Sequence, residues 1–152
     1  MKLDILAFAA HPDDIEMSCG GTIAKYTSLG KKVGIVDFTQ GQMGTRGTPE
    51  LRLKEAANSA KILKLSAREN LGFEDIYFKN DIEHQTSVVK MIRKYQPEII
   101  LANAPKDRHP DHGRAADVVK GAVFLSGLAK LETTLDNAVQ QPWRPRTVYH
   151  YI

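Results

Sequence analysis

At 152 residues the chain is long enough for one domain with a sizeable buried core, and 42% hydrophobic with 26% charged residues is the balance of an ordinary globular protein. The formal charge of +3 comes without any Lys/Arg run longer than two, which argues against a nucleic-acid partner. No window supplies the ~18 apolar residues that a membrane helix needs. Cys19 is the only cysteine, so no internal disulfide can form, and a reducing, cytoplasmic setting is expected. The start, Met1-Lys2-Leu3-Asp4, lacks the features of a signal peptide.

In chain order, residues 3–9 form a nearly unbroken apolar run, the pattern of a strand covered on both faces. Ile15, Cys19, Ile23, Tyr26 and Leu29 recur at helical spacing up to the stop at Gly30, and the internal pair Gly20-Gly21 is expected where that helix packs closely on the sheet. Residues 33–38 predict a second strand. A loop with Gly41, Gly44 and Gly47 follows, then a helix over residues 49–63 with Thr48 as its cap and Pro49 in its first turn. Residues 68–71 predict a weak third strand. A helix over 82–95 stops before Pro97, a fourth strand covers 98–102, a helix 111–128, and a last strand 147–152. No repeat or low-complexity segment interrupts this order.

Strands alternating with helices imply an α/β, Rossmann-like three-layer sandwich with a mostly parallel sheet and right-handed crossovers. Ligands of such sheets lie beyond the carboxyl ends of the strands. The site is therefore expected in the loops after Ala9, Phe38, Leu71 and Ala102.

Two of those loops carry most of the chemistry-bearing residues. One reads Ala10-His11-Pro12-Asp13-Asp14-Ile15-Glu16, the other Asp107-Arg108-His109-Pro110-Asp111-His112-Gly113. A hydrolytic zinc site wants three nitrogen or oxygen ligands and an open position for water. His11 and Asp14, three apart at a helix start, can converge on one metal, with His112 completing the set. Asp13 is then left beside the metal, free to take a proton. His109 and Asp111 form a second pair in which the carboxylate orients or charges the imidazole. The plain alternative for either motif alone is a turn whose Asp caps a helix. Two such motifs at the same sheet edge favour the metal reading.

The His11-Pro12-Asp13-Asp14 turn, Gly20-Gly21-Thr22 and His109-Pro110-Asp111-His112 also resemble the PIG-L/LmbE-like N-acetylglucosamine deacetylases. Residues 20–26, Gly47-Thr48 and 106–113 resemble most the branch that deacetylates GlcNAc-malate in bacillithiol biosynthesis. The likeness runs from Leu3 to about Ile152. It implies Zn²⁺ held by His11, Asp14 and His112, with Asp13 as general base. It further implies His109 as the group stabilising the oxyanion, with Asp111 behind it. Fe²⁺ suits the same ligands. The resemblance also implies a longer chain, so the domain over 1–152 is expected to be truncated at its C-terminal side.

The remaining candidates are contacts for a small, anionic amino-sugar conjugate. Arg46 in the glycine-rich loop, Arg52 at the start of the next helix and Arg108 beside the second motif suit carboxylate or phosphate contacts. Asp75 matches a sugar-contacting acid of the family. Gln42 stands where several relatives carry Glu, and it is placed with the substrate contacts. Cys19 is expected to be a small buried hydrophobe. His84 and His150 receive no role, and a homo-oligomer is left open. Two other readings compete with the deacetylase: a metal-dependent phosphoesterase, which would want two metals, and a non-catalytic Rossmann-like binding module or inactive fragment.

Overall fold

A computed structural model describes residues 1–152. In chain order its elements are β1 (Ile5–Ala9), α1 (Asp14–Ser28), β2 (Val33–Thr39), α2 (Pro49–Ile62), β3 (Ala67–Phe73), α3 (Ile82–Tyr95), β4 (Ile99–Asn103), α4 (Pro110–Ser126), a short hairpin β5 (Thr134–Leu135) and β6 (Ala138–Val139), and β7 (Thr147–Tyr151). The main sheet runs β3-β2-β1-β4-β7, with every neighbouring pair parallel. This is the α/β fold expected from the alternation of elements.

The centre of the sheet explains the apolar run at its start. Side chains alternate across a strand, so Leu6, Phe8 and Ala10 enter an 18-residue core beneath α3 and α4, with Val88, Val89, Ile92, Val118 and Val119. Ile5, Ala7 and Ala9 enter a smaller, seven-residue core on the opposite face, with Ile15 and Ile23 of α1. With both faces of β1 covered, no position in it tolerates a polar side chain.

β3 is longer than the segment legible in the sequence. As an edge strand it needs only one covered side, so Arg68, Glu69 and Asn70 are accommodated. Arg68 donates to both carboxylate oxygens of Asp37 (2.9 and 3.1 Å) and reaches Glu16 of α1, tying strand, strand and helix together. Burial, partly offset by Arg68, pushes the Asp37 carboxyl up to about 6.

One local expectation is corrected, and one element is added. Gly20-Gly21 does not press α1 onto the sheet. A Cβ on Gly21 would meet nothing within 4 Å, and the pair instead follows a kink at Cys19 (φ −136°, ψ 20°). The β5–β6 hairpin is not legible in the sequence because its turn residues are Asp136 and Asn137, both left-handed (φ 51° and 62°), rather than the usual Asn-Gly. No helix is long and apolar enough to cross a membrane.

Candidate metal centre

The sheet order reverses between β1 and β4, so the loops following them open side by side at one mouth. A bond from the Ala10 amide to Asn103 Oδ1 (3.1 Å) joins the two strand ends. Beyond it the chain turns through His11-Pro12-Asp13 into α1. Asp13 occupies the cap position of that helix, yet its side chain makes no capping hydrogen bond. At α4 the cap is His109, not Asp111. Helix capping therefore does not account for either aspartate.

His11, Asp14 and His112 each bring a ligand atom within 4.8 Å of the others, and so do His11, His109 and Asp111. The first set is the better donor set. Asp14 Oδ1 lies 3.7 Å from His11 Nδ1 and 3.3 Å from His112 Nε2, so one carboxylate oxygen faces both imidazoles. The remote nitrogens of both rings are held by carboxylates. His112 Nδ1 meets Asp107 Oδ2 at 3.0 Å, while His11 Nε2 meets Asp75 Oδ1 at 3.2 Å and Asp111 Oδ2 at 3.3 Å. A carboxylate at the remote nitrogen fixes the tautomer and leaves the near nitrogen's lone pair free for a metal. In the second set, Asp111 already accepts from Arg114 Nη1 (2.5 Å) and the Ile76 amide (3.1 Å), and His109 Nδ1 accepts from the Asp111 amide (3.3 Å).

The charges in this cluster hold one another. Burial alone would raise the Asp14 carboxyl, but bonds from His11, His112 and Asn103 outweigh it and hold it far below the ordinary range. Asp14, then Asp107, push His112 up to about 9 against a smaller opposing effect of burial. Burial likewise opposes the charge on His11, yet Asp14, Asp75 and Asp111 together raise its pKa above the ordinary value. Four acids (Asp14, Asp75, Asp107 and Asp111) around two imidazoles form a site electrostatically ready for a cation.

His109 and Asp111 do not pair as expected. The Asp111 carboxylate turns to His11, Ile76 and Arg114, while His109 gives its Nδ1 lone pair to the α4 cap. That bond leaves Nε2 as the N–H of a neutral ring, so His109 is a donor without needing a carboxylate behind it. Its ring stacks on His112 (centroids 4.9 Å, 18° between planes) and lies 4.8 Å from His11.

The expected substrate contacts divide into two groups. Arg46, Arg52 and Arg108 line one open, mainly polar cleft of about 610 Å³ together with Pro12, Asp13, Glu55 and His109. Within it Arg52 Nη2 donates to Asp13 Oδ2 at 2.9 Å. The glycine-rich loop wraps that arginine: Gly41 (φ +65°) passes so close that a Cβ would stand 2.7 Å from the guanidinium. Asp75 and Gln42 belong elsewhere. Asp75 is only 4% exposed; its Oδ2 accepts from the Met43 amide (2.8 Å), and its Oδ1 lies 3.2 Å from His11 Nε2 without a hydrogen-bond partner. Gln42 donates its amide to the Phe73 carbonyl (3.2 Å) and accepts from the Gln40 amide (3.0 Å), bracing the loop. Cys19 is half-buried against the smaller core, and burial with the nearby Glu16 pushes its thiol up to about 11.

Residues 6–123 match the family model of GlcNAc-PI de-N-acetylase, PIG-L. The chain belongs to this family. It is similar to the diacetylchitobiose deacetylase of Thermococcus kodakarensis, at 36% identity over 134 residues covering 82% of this chain and 50% of that one. Among solved structures, the conserved protein TT1542 from Thermus thermophilus superposes with a TM-score of 0.90 at 40% identity, over 98% of this chain and 66% of its own. The N,N'-diacetylchitobiose deacetylase from Pyrococcus horikoshii does so at 0.86 and 29% identity, over 97% and 59%. The chain thus spans about half to two thirds of the length of these relatives.

Within this PIG-L chain, three supporting residues escaped the sequence reading. Asn103 ends an otherwise apolar strand, Asp107 precedes His112 by five residues, and Arg114 lies one turn beyond Asp111. Asn103 carried a usable signal, since a polar residue closing a buried strand at a sheet mouth has to find a partner there.

Proposed function

We propose that this chain is the metal-holding part of an amide hydrolase that removes the N-acetyl group from an N-acetylglucosaminyl conjugate. The observation that carries the reading is the convergence of His11, Asp14 and His112, both imidazoles backed by carboxylates, beside a cleft that contains Asp13. Family membership supports it. His11 Nδ1, Asp14 Oδ1 and His112 Nε2 would hold the metal, with Zn²⁺ the expected ion and Fe²⁺ suited to the same donors. When bound, the ion supplies Lewis acidity toward the acetyl carbonyl and acidifies water.

The remaining work falls to the chain. Asp13 accepts the proton of the attacking water and returns it to the departing amine. His109 offers its Nε2–H to the oxygen on which negative charge develops, a contact typically worth about 3–4 kcal/mol. Arg52, donating to Asp13 Oδ2 at 2.9 Å, holds that carboxylate in the cleft. The three arginines of the cleft favour a conjugate whose aglycone is an anion, such as GlcNAc-malate.

The test is amine release from GlcNAc-malate and from diacetylchitobiose by the Zn²⁺-loaded and the chelator-treated chain. Metal-dependent release, faster on the malate conjugate, is expected. Release that survives chelation overturns the metal reading, and preference for the neutral disaccharide overturns the anionic aglycone.

A further inference from the structure

We infer that Asn103 is a positioning residue that holds Asp14 in one-oxygen ligation; the inference rests on the metal reading above. The Asn103 side chain is 1% exposed at the end of β4, and its two ends are forced apart by their partners. The Ala10 amide can only donate, so the Asn103 oxygen must face it (3.1 Å). The Nδ2 group therefore points the other way, into Asp14 Oδ2 at 2.9 Å. That same oxygen accepts the His11 backbone amide at 3.0 Å. Two donors occupy the two lone-pair positions of Oδ2. Only Oδ1 is left for the imidazole side, where His112 Nε2 lies 3.3 Å away.

The consequence is geometric. A carboxylate free to turn can chelate a cation through both oxygens, and each extra oxygen raises the coordination number. With Oδ2 tied to Asn103 and His11, Asp14 contributes one oxygen, the His11/Asp14/His112 set supplies three donor atoms, and open positions remain for water and substrate. The strand end that carries Asn103 is itself held, because the imidazole of His150 on β7 bonds to the Asn103 carbonyl (2.6 Å). Asn103 thus links the sheet to the ligand set without touching the reacting atoms.

The experiment uses Co²⁺ as the probe, on the full chain and on Asn103→Leu and Asn103→Asp. Asn103→Leu removes both bonds. Asn103→Asp keeps an acceptor for Ala10 but replaces the donor to Asp14 with a carboxylate oxygen that repels Oδ2. Chelator competition should show roughly 10–100-fold weaker Co²⁺ binding by Asn103→Leu, the usual range for loss of an outer partner. The visible spectrum of bound Co²⁺ should change in both variants toward higher coordination, a signature that loss of strand packing alone would not produce. Should Asn103→Leu fail to fold, the spectrum of Asn103→Asp decides. Parent-like spectra in the folded variants overturn the inference alone. A parent chain that binds no Co²⁺ overturns the metal reading, and this inference with it.

Discussion

Asp107 supports His112 through one charge-assisted bond, from His112 Nδ1 to Oδ2 at 3.0 Å, while its Oδ1 accepts the His109 backbone amide at 3.0 Å, so removing the side chain loses both. Asp107→Ala leaves the three donor atoms of the metal set in place but frees the His112 ring to rotate or adopt the other tautomer. Loss of such an outer partner typically costs roughly 10–100-fold in metal affinity. At about 1.4 kcal/mol per factor of ten this is about 1.4–2.8 kcal/mol. An independent route gives the same scale, since a hydrogen bond to a charged group contributes about 1.5–3 kcal/mol. Two measurements check it. Chelator competition should place Zn²⁺ affinity of the variant within that window. An NMR titration of the metal-free chain should show the His112 pKa falling from about 9 yet staying above the ordinary 6.5, because Asp14 is the larger of the two causes. Parent-like Zn²⁺ affinity in a folded variant would refute the claim that Asp107 orients the ligand. An unchanged His112 titration would show that the two groups are not in contact in solution.

The other predictions concern the cleft and the metal-free state. Asp13→Asn should keep one Zn²⁺ per chain and lose about 10²–10⁴-fold in turnover, the range of a general base, whereas Asp14→Ala should weaken metal binding itself; equal metal loss in both, by elemental analysis, would sink the division of roles. His109→Ala should bind Zn²⁺ normally and lose about 10²–10³-fold in kcat, the range for one oxyanion donor. Asp111→Asn should act through His11 and metal affinity rather than through His109, which kcat measured at saturating Zn²⁺ would distinguish. Without metal, His112 has a raised pKa, so its contribution to stability is complete below about 6.5 and disappears as pH rises toward about 9. The melting temperature of the metal-free chain should therefore decline across that window, and a flat or rising profile would contradict the His112–Asp14–Asp107 cluster.

Apart from the β5–β6 hairpin, the element order, the parallel sheet and the sheet edge that gathers the His/Asp loops were legible along the chain. Each depends on local patterning: a doubly covered strand reads as the apolar run at residues 3–9, and helix spacing recurs in Ile15, Cys19 and Ile23. The His11-Pro12-Asp13-Asp14 and His109-Pro110-Asp111-His112 loops stood out because side chains of those types cluster where a parallel sheet opens. Which atom faces which partner is not a local property. Asp75, after β3, and Asp111, in the first turn of α4, both come within 3.3 Å of His11 Nε2 across the sheet mouth, while His109 caps α4. Asn103 and Asp14, 89 residues apart, meet only because β4 pairs with β1 in one register. Residue type and spacing singled out His11, Asp14 and His112, whose ligand atoms the fold brings within 4.8 Å of one another. The supporting bonds that aim them cross between separate loops, and only the folded sheet brings those loops together.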